Sequence, residues 1–244
     1  MLPGDIKPTE RVIWSADVAD EAALMAALKS MPNLLNAKLD RAFVEAAGFD
    51  VIDRVKDLGV RVFDDAKIIE IPSKMVAIAK NHLAHKPWML NCMAGGVSSM
   101  LLEGDDPDKI DGLKRFADAC HTAGTLPCAV TVLTSKTPEV VEKEFGCSSV
   151  DQVLVYVEML LDCGFTDVVC SSAEVEAIRA EERFDKLNLN TPGIRPAGKD
   201  AGDQARVNTP EAALAMGTDR FVIGRPITEG NPAENLANIV ASIS

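Results

Sequence analysis

Short apolar runs recur along this chain. Between them lie longer stretches in which apolar residues fall three and four positions apart. The runs at residues 11–16, 34–38, 60–65, 88–91, 128–133, 167–170, 187–190 and 220–226 read as strands. Residues 20–29 have helical spacing, with Asp20 as cap and Glu21 in the first turn. Residues 48–58 carry Val51, Ile52, Val55 and Leu58 on one helical face, and Gly59 closes the segment. Further helices are expected at 74–83, 108–123, 138–145, 150–163, 173–181 and 232–242. Another is expected to start at Thr209-Pro210-Glu211, a cap followed by proline at the first helical position. Eight strands alternating with helices imply parallel strands and right-handed crossovers. With 244 residues and no proline-, glycine- or serine-rich linker, the pattern predicts an α/β fold, a single (β/α)8 TIM barrel spanning residues 1–244.

The third strand ends unusually. Val62-Phe63 runs into Asp64-Asp65-Ala66-Lys67-Ile68-Ile69-Glu70-Ile71-Pro72. Asp65 and Lys67 are two apart, so on a strand both face the same side. A buried acid and lysine must pair or shift their pKa values, whereas an exposed pair is an ordinary surface salt bridge. Position separates the two readings. Asp17, Lys38, Asp65, Lys67, Asn91, Thr134, Arg195 and Arg225 all lie near predicted strand C-termini. In a barrel those ends converge on one mouth, where active sites are built. Glycines at 193, 198 and 224 follow the seventh and eighth strands, with Arg195 and Arg225 beside them. Barrel phosphate sites occupy that place.

Composition narrows the partners. Lys plus Arg number 25 against 37 Asp plus Glu, a net charge of −12. Such a chain is a poor ligand for nucleic acid or an anionic membrane surface. No apolar run is long enough to span a bilayer, and residues 1–11 have no apolar signal core, so a cytoplasmic protein is expected. The six cysteines lack C-x-x-C spacing, and none lies near a histidine in a ligand pattern. They read as reduced, mostly buried thiols, and no metal site is expected. The three histidines fall in helical or post-helical stretches and read as structural.

With those residues in place, the chain resembles the orotidine 5′-monophosphate decarboxylases of bacterial type from Asp17 to the C-terminus. The similarity is strongest in 129–135, in Thr191-Pro192-Gly193-Ile194-Arg195-Pro196 followed by Gly202-Asp203-Gln204, and in Val222-Ile223-Gly224-Arg225-Pro226. The family motif D-x-K-x-x-D reads here Asp65-Ala66-Lys67-Ile68-Ile69-Glu70. The resemblance implies decarboxylation of orotidine 5′-monophosphate to UMP in pyrimidine biosynthesis, without metal or organic cofactor, by a homodimer with shared active sites. It implies that Asp17 and Lys38 hold the ribose hydroxyls and that Lys38 also belongs to the charged array. Asp65 would lie against the substrate carboxylate, and Lys67 would protonate C6. Glu70 would reach in from the partner subunit. Thr134, or Ser135 beside it, would contact the pyrimidine, and Arg195, Gln204, Gly224 and Arg225 would hold the phosphate.

Three positions depart from the family pattern. Glu70 stands in place of aspartate, Lys74 in place of threonine, and Met93 in place of histidine. One extra methylene at Glu70 moves the carboxylate by about 1.5 Å. Two alternatives share parts of the pattern: a nucleotide-binding barrel with catalysis impaired at Glu70, and a related sugar-phosphate decarboxylase.

Overall fold

Parallel strands β1 (Val12–Ser15), β2 (Asn36–Asp40), β3 (Arg61–Ile68), β4 (Met89–Met93), β5 (Leu126–Val130), β6 (Asp167–Val169), β7 (Asn188–Pro192) and β8 (Arg220–Ile223) pair in sequence order. Strand β8 then pairs with β1, Val12 opposite Phe221, and closes a barrel. The computed structural model describes residues 6–96, 112–196 and 208–244. Its helices are α1 (Pro8–Arg11), α2 (Glu21–Ser30), α3 (Arg41–Ala47), α4 (Val51–Lys56), α5 (Pro72–Leu83) and α6 (Gly112–Ala123). The second half adds α7 (Pro138–Phe145), α8 (Ser149–Asp162), α9 (Ser172–Arg179), α10 (Pro210–Met216), α11 (Arg225–Thr228) and α12 (Pro232–Ser242). The expected (β/α)8 architecture is therefore the observed one.

Strand alternation builds the core in two shells. Ile13, Phe63, Met89, Cys128 and Val222 fill the barrel interior. Their strand neighbours, such as Val12, Val62, Leu90 and Ala129, face outward against the helices. Five of the six cysteines are buried and all are free thiols, and burial pushes the Cys120 and Cys170 thiols up. No helix among the described residues is long and apolar enough to cross a membrane.

Local signals act where expected. Asp20 accepts a hydrogen bond from Ala23 N–H at 2.8 Å and starts α2. Thr209 caps α10 ahead of Pro210. Other elements move. Strand β2 begins two residues late, because Leu34 is tied into a turn on Met31 and buried beneath α2. That strand ends at Asp40, which caps α3 by accepting from Phe43 N–H at 3.0 Å. Helix α3 had no counterpart in the sequence reading. Strand β5 starts at Leu126 and stops at Val130. The apolar run continues beyond it because Val132 packs into the outer core and Leu133 faces the cavity at the mouth. Apolar periodicity alone cannot tell a buried loop from a buried strand.

Candidate active site

Strand β3 runs to Ile68, three residues further than its apolar run, and its last half is irregular. It stays in register with β2 through Asp65 opposite Asp40. Against β4, Asp64 lies opposite Leu90, yet Ile68 lies opposite Cys92. Two more residues are therefore spent on β3 than on β4, a bulge that re-aims side chains at the rim of the barrel. Lys67 adopts φ of 44°, a left-handed conformation costly for a residue with a side chain.

Asn91, opposite the bulge, replaces the missing ladder. Its Oδ1 accepts from Lys67 N–H at 2.7 Å, and its Nδ2 donates to Asp65 Oδ1 at 2.6 Å. Asp65 is thereby held from three sides. Its Oδ2 accepts from Lys38 Nζ at 2.8 Å and from Lys67 Nζ at 2.6 Å. Burial alone would raise this carboxyl, but the two ammonium groups outweigh it and hold Asp65 at about 2. Two cations around one anion leave the array with an excess positive charge, suited to an anionic ligand.

The array forms one side of a cavity of about 410 Å³. Ser15, the last residue of β1, and Asp17 just beyond it line the cavity, with Ser15 Oγ donating to Asp17 Oδ1 at 3.4 Å. Leu133 and Thr134 line it from beyond β5. Across the ring, Gly193, Ile194 and Arg195 follow β7, and Gly224 and Arg225 follow β8. In a closed ring of eight strands, β7 lies opposite β3, so the Arg195 loop faces the Lys67 strand across the mouth, and Arg225 follows the neighbouring β8. Gly193 has φ of 78°, which a side chain would disfavour. A Cβ on Gly224 would come within 3.2 Å of Asp17 Oδ2, so glycine there lets the two loops approach.

Of the residues expected from sequence, Asp17, Lys38, Asp65, Lys67, Thr134, Arg195, Gly224 and Arg225 meet in this one cavity. Lys38 does so from the middle of β2 rather than its end. Ser135 is exposed in the turn beyond Thr134 and does not line the cavity. Glu70 is exposed on the outer rim, its Oε2 accepting from Ile71 N–H at 2.9 Å, and does not join its own chain's array. Gln204, with Gly198, Gly202 and Asp203, lies outside the described residues. Lys74 is exposed in the first turn of α5, and Met93 is half-buried at the end of β4. The sequence pattern puts Asn91 at a strand end without assigning it a role. Its polarity inside an apolar strand, between Leu90 and Cys92, was the available signal.

Comparison with known proteins gives a consistent result. The model of the Orotidine 5'-phosphate decarboxylase / HUMPS family matches residues 10–239. The orotidine 5'-phosphate decarboxylase of Syntrophomonas wolfei is 34% identical over 239 residues, covering 96% of this chain and 98% of that one. That of Haemophilus influenzae is 34% identical over 238 residues, covering 96% and 99%. Among solved structures, orotidine 5'-phosphate decarboxylase from Lactobacillus acidophilus superposes with a TM-score of 0.79 at 28% identity, covering 96% of this chain and 98% of the other. An uncharacterised conserved protein from Geobacillus kaustophilus shares the fold, with a TM-score of 0.77 at 22% identity and coverage of 96% and 100%. A family match over nearly the whole length, together with relatives above 30% identity, establishes that this chain belongs to the Orotidine 5'-phosphate decarboxylase / HUMPS family.

Proposed function

We propose that the protein decarboxylates orotidine 5′-monophosphate to UMP and CO2, acting as a single barrel domain in the cytoplasm and without metal or organic cofactor. The observation that carries this reading is Asp65 clamped between Lys38 and Lys67 in a cavity that two arginines also line. In the proposed reaction the bond from C6 to the carboxylate breaks and its electron pair stays on C6. The Lys67 ammonium stabilises that charge and then transfers a proton to C6, and the resulting amine regains its proton from solvent. Asp65 pairs with the Lys67 ammonium until then. It also opposes the substrate carboxylate, a repulsion relieved as CO2 departs. Asp17 and Lys38 are assigned to the ribose, Thr134 and neighbouring Ser135 to the pyrimidine, and Arg195, Gln204, Gly224 and Arg225 to the phosphate. Binding energy from the phosphate, remote from C6, holds the substrate in the reactive geometry.

The third acid of the array is assigned to Glu70 of a second copy in a homodimer. Two features support that assignment. Glu70 does not line its own cavity, and the residues flanking it, Ile69 and Ile71, are 56% and 61% exposed. Such apolar exposure beside a charged rim suits an interface.

Incubation of the purified protein with orotidine 5′-monophosphate, followed by chromatography, is expected to give UMP at a rate well above the uncatalysed background. Background-level turnover would overturn the reading, and tight UMP binding without turnover would select a nucleotide-binding barrel instead. Arg225→Ala is expected to lower kcat/KM by about 10²-fold, mostly through KM, since one charge-assisted contact to phosphate contributes about 1.5–3 kcal/mol. Steady-state kinetics read this directly, and weakened inhibition by inorganic phosphate should accompany it.

A further inference from the structure

The back of strand β3 carries a buried ionisable pair that the reaction scheme does not use. Alternation places Phe63, Asp65 and Lys67 inward and Asp64 outward, toward α5. Asp64 is fully buried, and its Oδ2 lies 2.6 Å from Nδ1 of His82 in the last turn of α5, which is also buried. Asp64 Oδ1 has no hydrogen-bond partner among the described residues, so the His82 bond is the one polar anchor recorded for this carboxylate. His82 is itself held. Its ring meets Phe49 edge-on, with centroids 4.8 Å apart. Phe49 stacks on His85, which bonds Asp53 of α4 at 2.6 Å.

The anchor's position gives it meaning. Asp64 is the last residue of β3 in register with β4 before the bulge. Asp65 follows immediately, and Lys67 lies within the bulge at φ 44°. A strained conformation persists only where its surroundings over-determine it. On the inner side Asn91 supplies that constraint through its bonds to Lys67 N–H and Asp65. On the outer side Asp64, fastened to α5, supplies the matching one. A buried carboxylate that loses its partner draws in water or shifts to find another. Here any such shift passes along one peptide unit to Asp65.

We propose that His82 is a positioning residue for the Lys38–Asp65–Lys67 array, its hydrogen bond to Asp64 fixing β3 at the point where the bulge begins. The proposal rests on the decarboxylase reading of that array. It assigns His82 to the chemical step and leaves most ligand affinity to contacts from other strands, since Asp17 follows β1 and Arg195 and Arg225 follow β7 and β8. Displacement of a reacting group by about 1 Å costs about 10²-fold in rate.

The test measures kcat and KM for orotidine 5′-monophosphate and Kd for UMP in wild type, His82→Leu, His82→Asn and Asp64→Leu. His82→Leu should lose about 10- to 100-fold in kcat while the Kd for UMP stays within about threefold. His82→Asn can present a donor near the Nδ1 position and should keep kcat within about threefold of wild type. A residue that only fills space would give the reverse order, since leucine is the better tenant of a buried apolar site. Wild-type kcat in His82→Leu, a lower kcat in His82→Asn than in His82→Leu, or parallel loss of kcat and UMP affinity would each overturn the proposal. Should His82→Leu fail to fold, Asp64→Leu removes the acceptor with a side chain of similar length that suits the buried surroundings. A drop of about fivefold or more in kcat with UMP binding intact supports the proposal, and unchanged kcat overturns it. A wild-type protein that does not turn over orotidine 5′-monophosphate would instead remove the decarboxylase reading beneath it.

Discussion

Replacing Lys67 by alanine is expected to lower kcat for orotidine 5′-monophosphate by about 10⁴-fold or more while leaving UMP binding within about tenfold. In the proposed reaction this one side chain does two things. Its ammonium lies where charge develops, and electrostatic stabilisation of that kind contributes about 10²–10³-fold. It also delivers the proton, worth about 10²–10⁴-fold. The two roles belong to one group, so both vanish together and their losses compound. Binding of the product depends mostly on side chains from other strands, Asp17, Lys38, Arg195 and Arg225. Single-turnover kinetics and UMP titration of the variant separate the two quantities. Retained turnover within tenfold of wild type would remove Lys67 as the proton donor. Lys67→Arg is expected to fare little better. Arginine keeps the charge, but its pKa leaves the guanidinium unable to give up a proton near neutral pH.

The second large effect belongs to Asp65. Asp65→Asn is expected to lower kcat by about 10³-fold, since the amide neither holds the Lys67 ammonium by charge nor opposes the substrate carboxylate. Lys38 and Lys67, now bonded to the same Asp65 oxygen at 2.8 and 2.6 Å, would face each other without an acid between them. Their mutual repulsion would push the two side chains apart and displace Lys67 from its place in the array. The same substitution has a signature in stability. The two ammonium groups hold Asp65 at about 2, against an ordinary value of 3.8. The folded state therefore binds a proton at this site less readily than the unfolded chain does. The ionised carboxylate adds stability above about pH 4, and that contribution is lost as pH falls toward about 2. Its size is about 2 kcal/mol. In denaturant titrations, wild type should lose stability more steeply than Asp65→Asn between about pH 5 and about pH 3. Parallel slopes would show that the lysines do not hold this carboxyl down.

Much of the molecule was legible before any coordinates. Alternation of apolar runs with amphipathic stretches reports the barrel because each strand and helix must bury its own apolar face. Caps such as Asp20 and Thr209 act on residues three positions away, so they read directly from spacing. Polar residues at strand ends marked the mouth, and Lys38, Asp65, Lys67, Arg195 and Arg225 do meet there. Helix α3 was missed because Asp40 both ends a strand and caps that helix, and no glycine or proline separates the two elements. The ends of β2 and β5 slipped where buried turns extend an apolar run.

The chain's own order of residues thus sufficed for the barrel, its mouth and the charged stretch at the end of β3. What it left open was how that stretch is held. The bulge, the left-handed Lys67, the double bond of Asn91 and the buried Asp64–His82 pair emerge only when β2, β3, β4 and α5 come together. The partners in these contacts are 18 to 27 residues apart in the chain. No local periodicity encodes a bond between residues that distant. Their geometry follows from closing the ring of strands, which aims Asp65 at two lysines on one face and sets Asp64 against a histidine on the other.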